Sequence, residues 1–415
     1  MSRFTRICVV GLGYIGLPSA AVFADNGVDV LGVDVNKDAV DSINRGEPHI
    51  VEPELDVLLR KVVSTGKLKA SLTPESAEAF ILAVPTPFKD GKQPDLAYVE
   101  AAAKSIAPVL KRGDLVILES TSPVGATEQL SLWLAEARPD LTFPHDAGEL
   151  SDIRVAHCPE RVLPGQILRE VVENDRIIGG ITRKCAQMAM ALYKIFVSGE
   201  VHLSNARTAE MAKLTENAFR DVNIAFANEL SIICEGLDIN VWQLIRLANL
   251  HPRVNILSPG PGVGGHCIAV DPWFIVASDP ENSKLIATAR AVNDGKPHFV
   301  VEKVRAKAKR IKNPVIACLG LSYKPDVDDL RESPMHRTNS IDYGIVMKGE
   351  IELELEDGRK KTVREGGIII QRGTNHLWRN TSGSVTRIAF ILIEAPAYLH
   401  NGAPLTEHKP EDAAG

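Results

Sequence analysis

The 415-residue sequence lacks three features, and each absence argues against a class of protein. Its six cysteines show no CxxC spacing, so we expect reduced thiols rather than a cysteine zinc site or a disulfide framework. No apolar run approaches the ~20 residues that a membrane span needs. Basic residues are not in excess, since 47 Lys and Arg stand against 53 Asp and Glu, for a net charge of -6. We therefore expect neither nucleic acid nor a membrane as a partner.

The N-terminus also lacks the continuous apolar stretch of a signal peptide. Arg3 and Arg6 precede an apolar run that ends near Ala24, but three glycines and a proline interrupt that run. We therefore predict a cytoplasmic protein.

Apolar periodicity predicts an α/β domain at the start of the chain. A β-rich segment at 6–11 stops at a glycine, a helical pattern covers 15–26, and a second apolar strand covers 28–33. This order of strand, helix and strand is the βαβ unit of a parallel sheet. We predict a doubly wound first domain over residues 1–205, with further strands at 79–84, 115–119 and 153–158 and helices at 96–110 and 127–137.

The pattern changes twice further along the chain. From about Thr208, apolar residues recur at spacings of three and four, which predicts a long helix able to carry a dimer interface. A loop rich in glycine and proline at 258–266 interrupts the helices of this central domain, which we predict over 206–312. After a further helix at 284–310 and a strand at 315–320, β-rich runs follow at 341–355, 363–371 and 385–393. The last dozen residues, within a tail at 397–415, are predicted to be disordered.

The sequence Gly11-Leu12-Gly13-Tyr14-Ile15-Gly16 places the pattern G-x-G-x-x-G at a strand-to-helix turn. Its first glycine allows the turn, the second admits a pyrophosphate, and the third permits close helix packing. Asp34, at the end of the second strand, is placed to accept hydrogen bonds from an adenosine ribose, and its charge would repel a 2′-phosphate. We therefore predict a Rossmann-type domain that binds NAD rather than NADP. The alternative is a glycine-rich turn that binds no nucleotide.

Cys267 follows the glycine-rich loop directly, where a thiol can meet a substrate among backbone amides. A lone cysteine can equally be an unreactive residue that only packs. However, Cys8 and Cys318 lie in apolar strand patterns, whereas Cys267 lies in a loop. Asp271, four residues later, is placed to assist as an acid or a base. These residues predict a nucleophilic site.

Lys213 and Asn217 are four residues apart and therefore share a helical face. A lysine among apolar neighbours can lose or share its proton near neutral pH. The alternative is a lysine whose ammonium group reaches solvent from an amphipathic helix. Glu160, just past a predicted strand, is either a functional carboxylate or a surface charge.

Six motifs together resemble the UDP-glucose/GDP-mannose dehydrogenase family, and the resemblance runs from residue 1 through Pro334. The fourth and sixth motifs are most similar to members that oxidise UDP-N-acetyl-D-mannosamine in bacterial surface-polysaccharide synthesis. In chain order the motifs are the glycine-rich turn at 11–18, Val-Pro-Thr-Pro at 84–87, Glu-Ser-Thr-Ser-Pro-Val-Gly at 119–125, Cys-Pro-Glu-Arg-Val-Leu-Pro-Gly at 158–165, Lys-Leu-Thr-Glu-Asn at 213–217 and Gly-Gly-His-Cys at 264–267.

The resemblance implies a four-electron, NAD-dependent oxidation of a UDP-sugar, and the long helix leads us to expect a homodimer. Cys267 would be the nucleophile, Lys213 and Asn217 would stabilise the alkoxide or oxyanion, and Glu160, Thr121 and Asp271 would position water or move protons. The implied cofactor-binding residues are Gly11, Gly13, Tyr14, Ile15, Gly16, Asp34, Pro85, Thr86, Thr121 and Arg331. The implied substrate-binding residues are Arg161, Val162, Lys213, Asn217, Arg253, Gly264 and Lys324.

The resemblance to the family ends inside its third domain, of which residues 313–334 form a truncated α/β start. Residues 335–396 instead resemble a small β-rich cupin-like domain, through motifs at 343–350 and 371–380. Most cupin metal ligands are missing, and His376 with Asp342 or His336 is a weak set, so we predict no metal.

Two alternatives to the first function remain open. One is a dehydrogenase for another UDP- or GDP-sugar, and the other is an inactive NAD-binding protein with a cupin interaction module.

Overall fold

The computed structural model describes residues 4–50, 52–162, 165–264 and 267–309, and further on mainly the strands of a β-rich region. The chain divides into two compact units, Met1–Pro297 and His298–Gly415. The predicted strand at 315–320 and the last eleven residues lie outside the described part.

The first half of unit one alternates short strands and helices, as predicted for an α/β domain. The boundaries of the predicted strands shift by one or two residues. The elements are β1 (Arg6–Val10), α1 (Gly16–Asp25), β2 (Asp29–Val33), α2 (Lys37–Asn44), α3 (Leu55–Ser64), β3 (Leu68–Ser71), β4 (Ala79–Leu82), β5 (Phe88–Lys89), β6 (Gln93–Pro94), α4 (Ala97–Ile106), β7 (Leu115–Leu118), α5 (Ala126–Ala137) and α6 (Pro144–Ala147).

The second half of the unit completes the sheet and then becomes helical. Its elements are β8 (Arg154–His157), α7 (Ile167–Glu173), β9 (Arg176–Gly180), α8 (Arg183–Tyr193), β10 (Val201–Asn205), α9 (Ala206–Gly236), α10 (Val241–Ala248), α11 (Asp271–Ser278) and α12 (Lys284–Ala308), the last of which continues past Pro297.

Eight strands form one sheet in the order β10-β9-β8-β7-β4-β1-β2-β3. The strand order reverses between β1 and β4, which is the switch point where doubly wound sheets bind ligands. All neighbours are parallel except β8 and β9, so the expectation of a parallel sheet is wrong at this pair. The physical reason is that the path of the connection at residues 158–175 sets the direction of β9, and the apolar pattern of a strand does not encode that path.

Both faces of the sheet are buried, which explains the nearly continuous apolar strands. Along β1, Ile7 and Val9 belong to the core on one face, whereas Cys8 and Val10 belong to the core on the other. The sheet therefore forms a rigid platform that carries the loops at its carboxyl edge.

Helix α9 links the sheet to the helical part of the unit. It begins two residues before the predicted start, because the Asn205 side chain accepts a hydrogen bond from the Thr208 amide at 2.9 Å and caps the helix. Leu214 and Ala218 of α9 pack on Phe274 and Ile275 of α11 in a small separate core. No described helix is long and apolar enough to cross a membrane.

Described residues of unit two are mainly antiparallel strands. They are β11 (Ser333–His336), β12 (Ser340–Lys348), β13 (Glu350–Leu355), β14 (Lys360–Arg364), β15 (Ile368–Arg372), β16 (His376–Arg379), β17 (Arg387–Glu394), β18 (Leu399–His400) and β19 (Ala403–Pro404). Strands β11-β16-β13-β14 form one sheet, β15-β12-β17 a second, and β18-β19 a two-stranded pair.

The predicted β-rich run at 341–355 is two strands rather than one. Gly349 separates them with a φ of 79°, a conformation that favours glycine. After this turn, β12 and β13 pair in different sheets. The run predicted at 363–371 is likewise divided, between β14 and β15.

Candidate active site

The glycine-rich turn lies at the switch point and has the geometry that the motif predicts. Gly11 has a φ of 92°, and a Cβ there would lie 2.5 Å from the Ala83 carbonyl oxygen. A Cβ at Gly16 would lie 1.8 Å from the Gly11 oxygen, so this glycine permits the close helix packing. A Cβ at Gly13, by contrast, would meet no heavy atom of the described residues within 4 Å. The backbone at Gly13 is therefore open to a ligand, with Tyr14 and Ile15 directly beyond it.

Asp34 lies beside this turn at the end of β2. Its Oδ2 accepts a hydrogen bond from the Leu12 amide at 2.9 Å, and its Oδ1 accepts one from the Asn36 amide at 2.9 Å. Each carboxylate oxygen keeps a further lone pair for a hydroxyl donor. The turn and this carboxylate thus fit a dinucleotide with a free ribose, as predicted.

Hydrogen bonds join the two loops on the other side of the switch point. Thr86 Oγ1 donates to the Thr121 carbonyl oxygen at 2.6 Å, and Ser120 Oγ donates to the Val84 carbonyl oxygen at 2.6 Å. Pro85 is exposed between these contacts. The motifs at 84–87 and 119–125 therefore form one edge of the site.

A cavity of about 430 Å³ brings together four of the residues predicted to bind or convert substrate. Arg161 and Val162 reach it from the loop after β8, and Lys213 and Asn217 from one face of α9. Its lining residues are Arg161, Val162, Glu170, Asn174, Asp175, Lys213, Glu216 and Asn217. The other four residues were not predicted from the sequence.

Arg161 is anchored at the wall of this cavity. Its guanidinium forms a 2.7 Å salt bridge with Glu216 and donates to the Asp175 carbonyl oxygen at 3.2 Å. Its own carbonyl oxygen accepts a hydrogen bond from the Asn174 side chain at 3.0 Å. These bonds hold the cationic group of Arg161 beside Lys213 and Asn217.

Asn217 connects the cavity to the segment that carries Cys267. Its Nδ2 donates to Asp271 Oδ2 at 2.5 Å, and the Asp271 amide donates to the Cys267 carbonyl oxygen at 2.9 Å. Asp271 is buried at the first residue of α11, whereas Cys267 is exposed. Burial raises the pKa of Asp271 to about 6, against the lowering effects of the Asn217 hydrogen bond and the Lys213 charge. This carboxyl group therefore changes charge close to neutral pH.

Glu160 is buried beside the cavity and is not a surface charge. It pairs with Arg176, which is also buried and stacks over the Tyr193 ring at 4.5 Å. Glu119 lies on the other side of the guanidinium at 4.0 Å and accepts a hydrogen bond from the Tyr193 hydroxyl at 2.9 Å. Burial and the nearby Glu160 charge raise the pKa of Glu119 to about 8, although Arg176 opposes this effect. The guanidinium of Arg176 thus lies between two buried carboxyl groups.

Buried polar side chains hold the glycine-rich loop that precedes Cys267. Asn228 Oδ1 of α9 accepts a hydrogen bond from the Gly260 amide at 2.8 Å, and its Nδ2 donates to Asn293 Oδ1 of α12 at 2.8 Å. Asn293 and Arg290 both donate to Asp221 Oδ1, at 2.8 and 2.6 Å. The loop is thus tied to α9, the helix that also carries Lys213 and Asn217.

Other predicted site residues do not line the cavity. Arg253 and Gly264 are exposed in the loops before α11, and Thr121 lies in the loop after β7, where its carbonyl oxygen accepts the bond from Thr86. Arg331 and Lys324 lie outside the described residues. Among the described residues no group of three or more His, Cys, Asp and Glu could hold a metal ion.

Sequence reasoning missed Arg176, Glu119 and the acidic lining of the cavity. Glu216 directly precedes Asn217, and Glu119 opens a motif already recognised, so position in the chain offered a signal for both. Arg176 offered none, because its carboxylate partners Glu160 and Glu119 are 16 and 57 residues away along the chain and meet it only through folding.

Comparisons with known proteins give the same assignment as the motifs. Residues 5–197 match the NAD-binding domain of the UDP-glucose/GDP-mannose dehydrogenase family, and residues 207–295 match its central domain. The UDP-N-acetyl-D-mannosamine dehydrogenase of Campylobacter jejuni is 68% identical over 335 residues, which cover 80% of this chain and 82% of that protein. The NDP-N-acetyl-D-galactosaminuronic acid dehydrogenase of Ralstonia nicotianae is 69% identical over 331 residues, covering 80% and 78%.

A solved structure supports the fold over the same share of the chain. The UDP-D-ManNAc dehydrogenase of Pyrococcus horikoshii, 46% identical, superposes with a TM-score of 0.73 over 79% of this chain and 78% of that one. The motifs, the switch-point geometry and these matches lead to one conclusion: the chain belongs to the UDP-glucose/GDP-mannose dehydrogenase family.

Proposed function

We propose that the chain oxidises UDP-N-acetyl-D-mannosamine to UDP-N-acetyl-D-mannosaminuronate, a precursor for surface polysaccharide, through a thioester on Cys267. The observation that carries this proposal is the chain of contacts from Lys213 and Asn217 in the cavity, through Asp271, to Cys267. The name of the Campylobacter jejuni relative, at 68% identity, supports this choice of sugar.

The reaction needs two oxidations at the C6 carbon of the sugar. NAD, when bound, accepts one hydride in each oxidation. The alcohol first loses a proton and a hydride, and the Cys267 sulfur adds to the resulting aldehyde as a thiohemiacetal. Loss of a second proton and hydride leaves a thioester, and water then releases the carboxylate and restores the thiol. A cysteine thereby divides one difficult oxidation into steps that share a single site.

Lys213 and Asn217 are the groups that would stabilise negative charge on the reacting oxygen. Their spacing of four residues directs both side chains into the same cavity, and an ammonium and an amide are both hydrogen-bond donors. Asp271, bonded to Asn217, is the group that would take the alcohol proton, and a pKa of about 6 suits a base near neutral pH. Glu160 and Thr121 would position the hydrolytic water.

Arg161 and Val162 would contact the sugar nucleotide, since both line the cavity. An anchored guanidinium is suited to a diphosphate or to sugar hydroxyls. Arg253, Gly264 and Lys324 complete the proposed contacts, and Pro85, Thr86 and Arg331 complete the proposed cofactor site. The assignments of Arg253, Gly264, Lys324 and Arg331 come from the family resemblance alone.

A second substrate has a specific observation in its favour. The Ralstonia nicotianae relative, named for an N-acetyl-D-galactosaminuronic acid, is 69% identical to this chain. The two sugars differ in the configuration of ring substituents, which the protein must read by a few hydrogen bonds. The galactosamine nucleotide is therefore the competing substrate.

We also propose that the chain forms a homodimer through α9. Phe219 and Phe226 are seven residues apart on this helix and are 71% and 51% exposed, and Trp242 of α10 is 58% exposed. Large apolar side chains on neighbouring exposed surfaces are typical of an interface. A partner subunit would remove them from water.

We further propose that residues 335–396 form a cupin-like module after the truncated third-domain start at 313–334, with residues 1–205 and 206–312 as the two preceding domains. The two antiparallel sheets β11-β16-β13-β14 and β15-β12-β17 support this reading of the β-rich segment. A cytoplasmic location is proposed from the family and from the reduced thiols.

Turnover of candidate sugars tests the substrate assignment. The purified full chain, with NAD, should form NADH with UDP-N-acetyl-D-mannosamine faster than with the UDP-N-acetylgalactosamine, UDP-glucose or GDP-mannose substrates. Cys267→Ala should abolish complete turnover while it leaves NAD binding intact. A preference for the galactosamine nucleotide would replace the proposed sugar with its competitor.

A further inference from the structure

Glu210 connects the helix of Lys213 and Asn217 to the loop at residues 119–125. Its side chain lies near the start of α9 and is fully buried. Its Oε2 accepts a hydrogen bond from the Gly125 amide at 2.7 Å. Its Oε1 accepts bonds from the Thr127 amide at 2.7 Å and from the Thr127 hydroxyl at 2.5 Å. Three donors from one short segment thus converge on a single carboxylate.

These donors belong to the first turn of α5, which has no capping side chain of its own. The N-cap residue is Gly125, with a φ of 96°. Amides at the start of a helix need an acceptor, and a negative charge there is favourable. Burial raises the pKa of Glu210 above its usual value, and the three donated bonds oppose that effect. Glu210 is therefore a helix cap that a different helix supplies.

The position of Glu210 along α9 relates this cap to the catalytic groups. Lys213 and Asn217 follow it by three and seven residues, so all three side chains share one side of the helix. The loop is held from its other end as well, because Thr86 Oγ1 donates to the Thr121 carbonyl oxygen. The carboxylate of Glu210 thereby fixes the distance between Thr121 and the pair Lys213 and Asn217.

We propose that Glu210 is a positioning residue that keeps the loop at 119–125 in register with the catalytic face of α9. The inference rests on the proposed function, in which that loop contacts NAD while Lys213 and Asn217 contact the sugar. Glu210 itself touches neither ligand. Its loss is expected to weaken NAD binding and to lower kcat, whereas the binding of the sugar should change little.

Glu210→Gln tests this role because it keeps the size of the side chain but turns an NH₂ group toward a backbone amide. Thr182→Ala is the matched control: the Thr182 hydroxyl accepts a bond from the Cys185 amide at 3.3 Å and caps α8, with no contact to the loop. The full chain of each variant would be measured by NAD calorimetry, by amide hydrogen exchange over 119–127, and by steady-state kinetics with UDP-N-acetyl-D-mannosamine.

In Glu210→Gln, the Kd for NAD should rise at least about tenfold, since a charge-assisted bond is replaced by an unpaired donor. Amide exchange over 119–127 should become faster, and kcat should fall while KM for the sugar stays within about twofold of the parent. Glu210→Asp keeps the charge at a shorter reach and should recover part of the NAD affinity. Thr182→Ala should keep the NAD affinity of the parent.

Parental NAD affinity and parental exchange in Glu210→Gln would overturn the proposal. Equal losses in Thr182→Ala would also overturn it, because they would indicate a general loss of stability. Should Glu210→Gln fail to fold, Thr127→Val removes one of the three bonds and should weaken NAD binding to a smaller degree; unchanged affinity would count against the proposal. A parent protein that forms no NADH would contradict the proposed function, while NAD affinity and amide exchange would still decide the role of Glu210.

Discussion

At the scale of single residues, the buried carboxyl group of Asp271 lowers the stability of the fold when it ionises. Its carboxyl group is buried against Asn217, and its pKa is raised from 3.8 to about 6. The folded protein therefore binds this proton more tightly than the unfolded chain does. Ionisation between pH values of about 4 and 6 lowers the free energy of unfolding, and the cost is complete above that range.

Asp271→Asn should consequently raise the free energy of unfolding at pH 7 to 8, by about 1 to 3 kcal/mol, because the amide carries no charge to desolvate. The same variant should lose most activity, and the low-pH decline of the parent's kcat/KM near pH 6 should disappear with it. Urea unfolding at two pH values checks the first statement. Glu281→Gln, at an exposed carboxylate, is the control; equal stabilisation by both variants would contradict the account.

The sequence predicted some residues of the site and missed others for a physical reason. The spacing of Lys213 and Asn217 placed both on one helical face, and both line the cavity. Glu210 lies on the same face but remained unnoticed, because its partners Gly125 and Thr127 are more than eighty residues away. Helical spacing shows which residues share a face, whereas only the packing of helices shows what that face meets.

At the scale of elements, the glycine-rich loop before Cys267 depends on side chains from two helices. Asn228 is fully buried and bonds both the Gly260 amide and the Asn293 side chain. The loop itself contributes glycines and prolines, which leave few side chains to hold it. Its conformation therefore follows from α9 and α12 more than from its own sequence.

Asn228→Ala should lower the free energy of unfolding by about 1 to 3 kcal/mol, since it leaves buried polar groups without partners. Amide exchange at Gly260 should become faster, and kcat should fall. Asn223→Ala is the control on the same helix, because Asn223 Nδ2 donates to the Phe219 carbonyl oxygen of its own helix. Equal exchange at Gly260 in the two variants would show that Asn228 does not hold the loop.

Element boundaries were predicted best where the pattern was local. The order of strand, turn and helix at the N-terminus follows from residues within thirty positions of each other, and β1, α1 and β2 confirm it. Alternation over 341–355 suggested one strand, because an alternating pattern does not reveal a turn made by a single glycine. The antiparallel pair of β8 and β9 was equally hidden, since strand direction depends on the connection and not on the strand.

At the scale of the whole molecule, the exposed aromatic residues of α9 allow a test of the proposed homodimer. Phe219→Asp combined with Phe226→Asp should yield a monomer in sedimentation velocity, where the parent should be a dimer, because the charges oppose burial of that surface. Val57→Asp changes a residue of α3 that is 66% exposed and should leave the assembly unchanged. A double variant that remains dimeric would place the interface elsewhere.

The family domains end before the β-rich part of the chain begins. Matches to the NAD-binding and central domains extend to residue 295, and those two domains contain Cys267, Lys213, Asn217 and Asp271. The sequence predicts that the central domain ends at residue 312 and that the β-rich part begins at residue 335, because family motifs and strand alternation occupy different parts of the chain. Under the proposed function, chemistry must proceed with only the truncated third-domain start that we propose for residues 313–334.

The number of NADH molecules formed per sugar tests that requirement most directly. With limiting UDP-N-acetyl-D-mannosamine and excess NAD, the full chain should form two NADH per sugar and release a carboxylate, and Cys267→Ala should not. One NADH with release of an aldehyde would contradict the cysteine-bound route. No NADH, with NAD still bound in calorimetry, would contradict the claim that this chain is an active dehydrogenase.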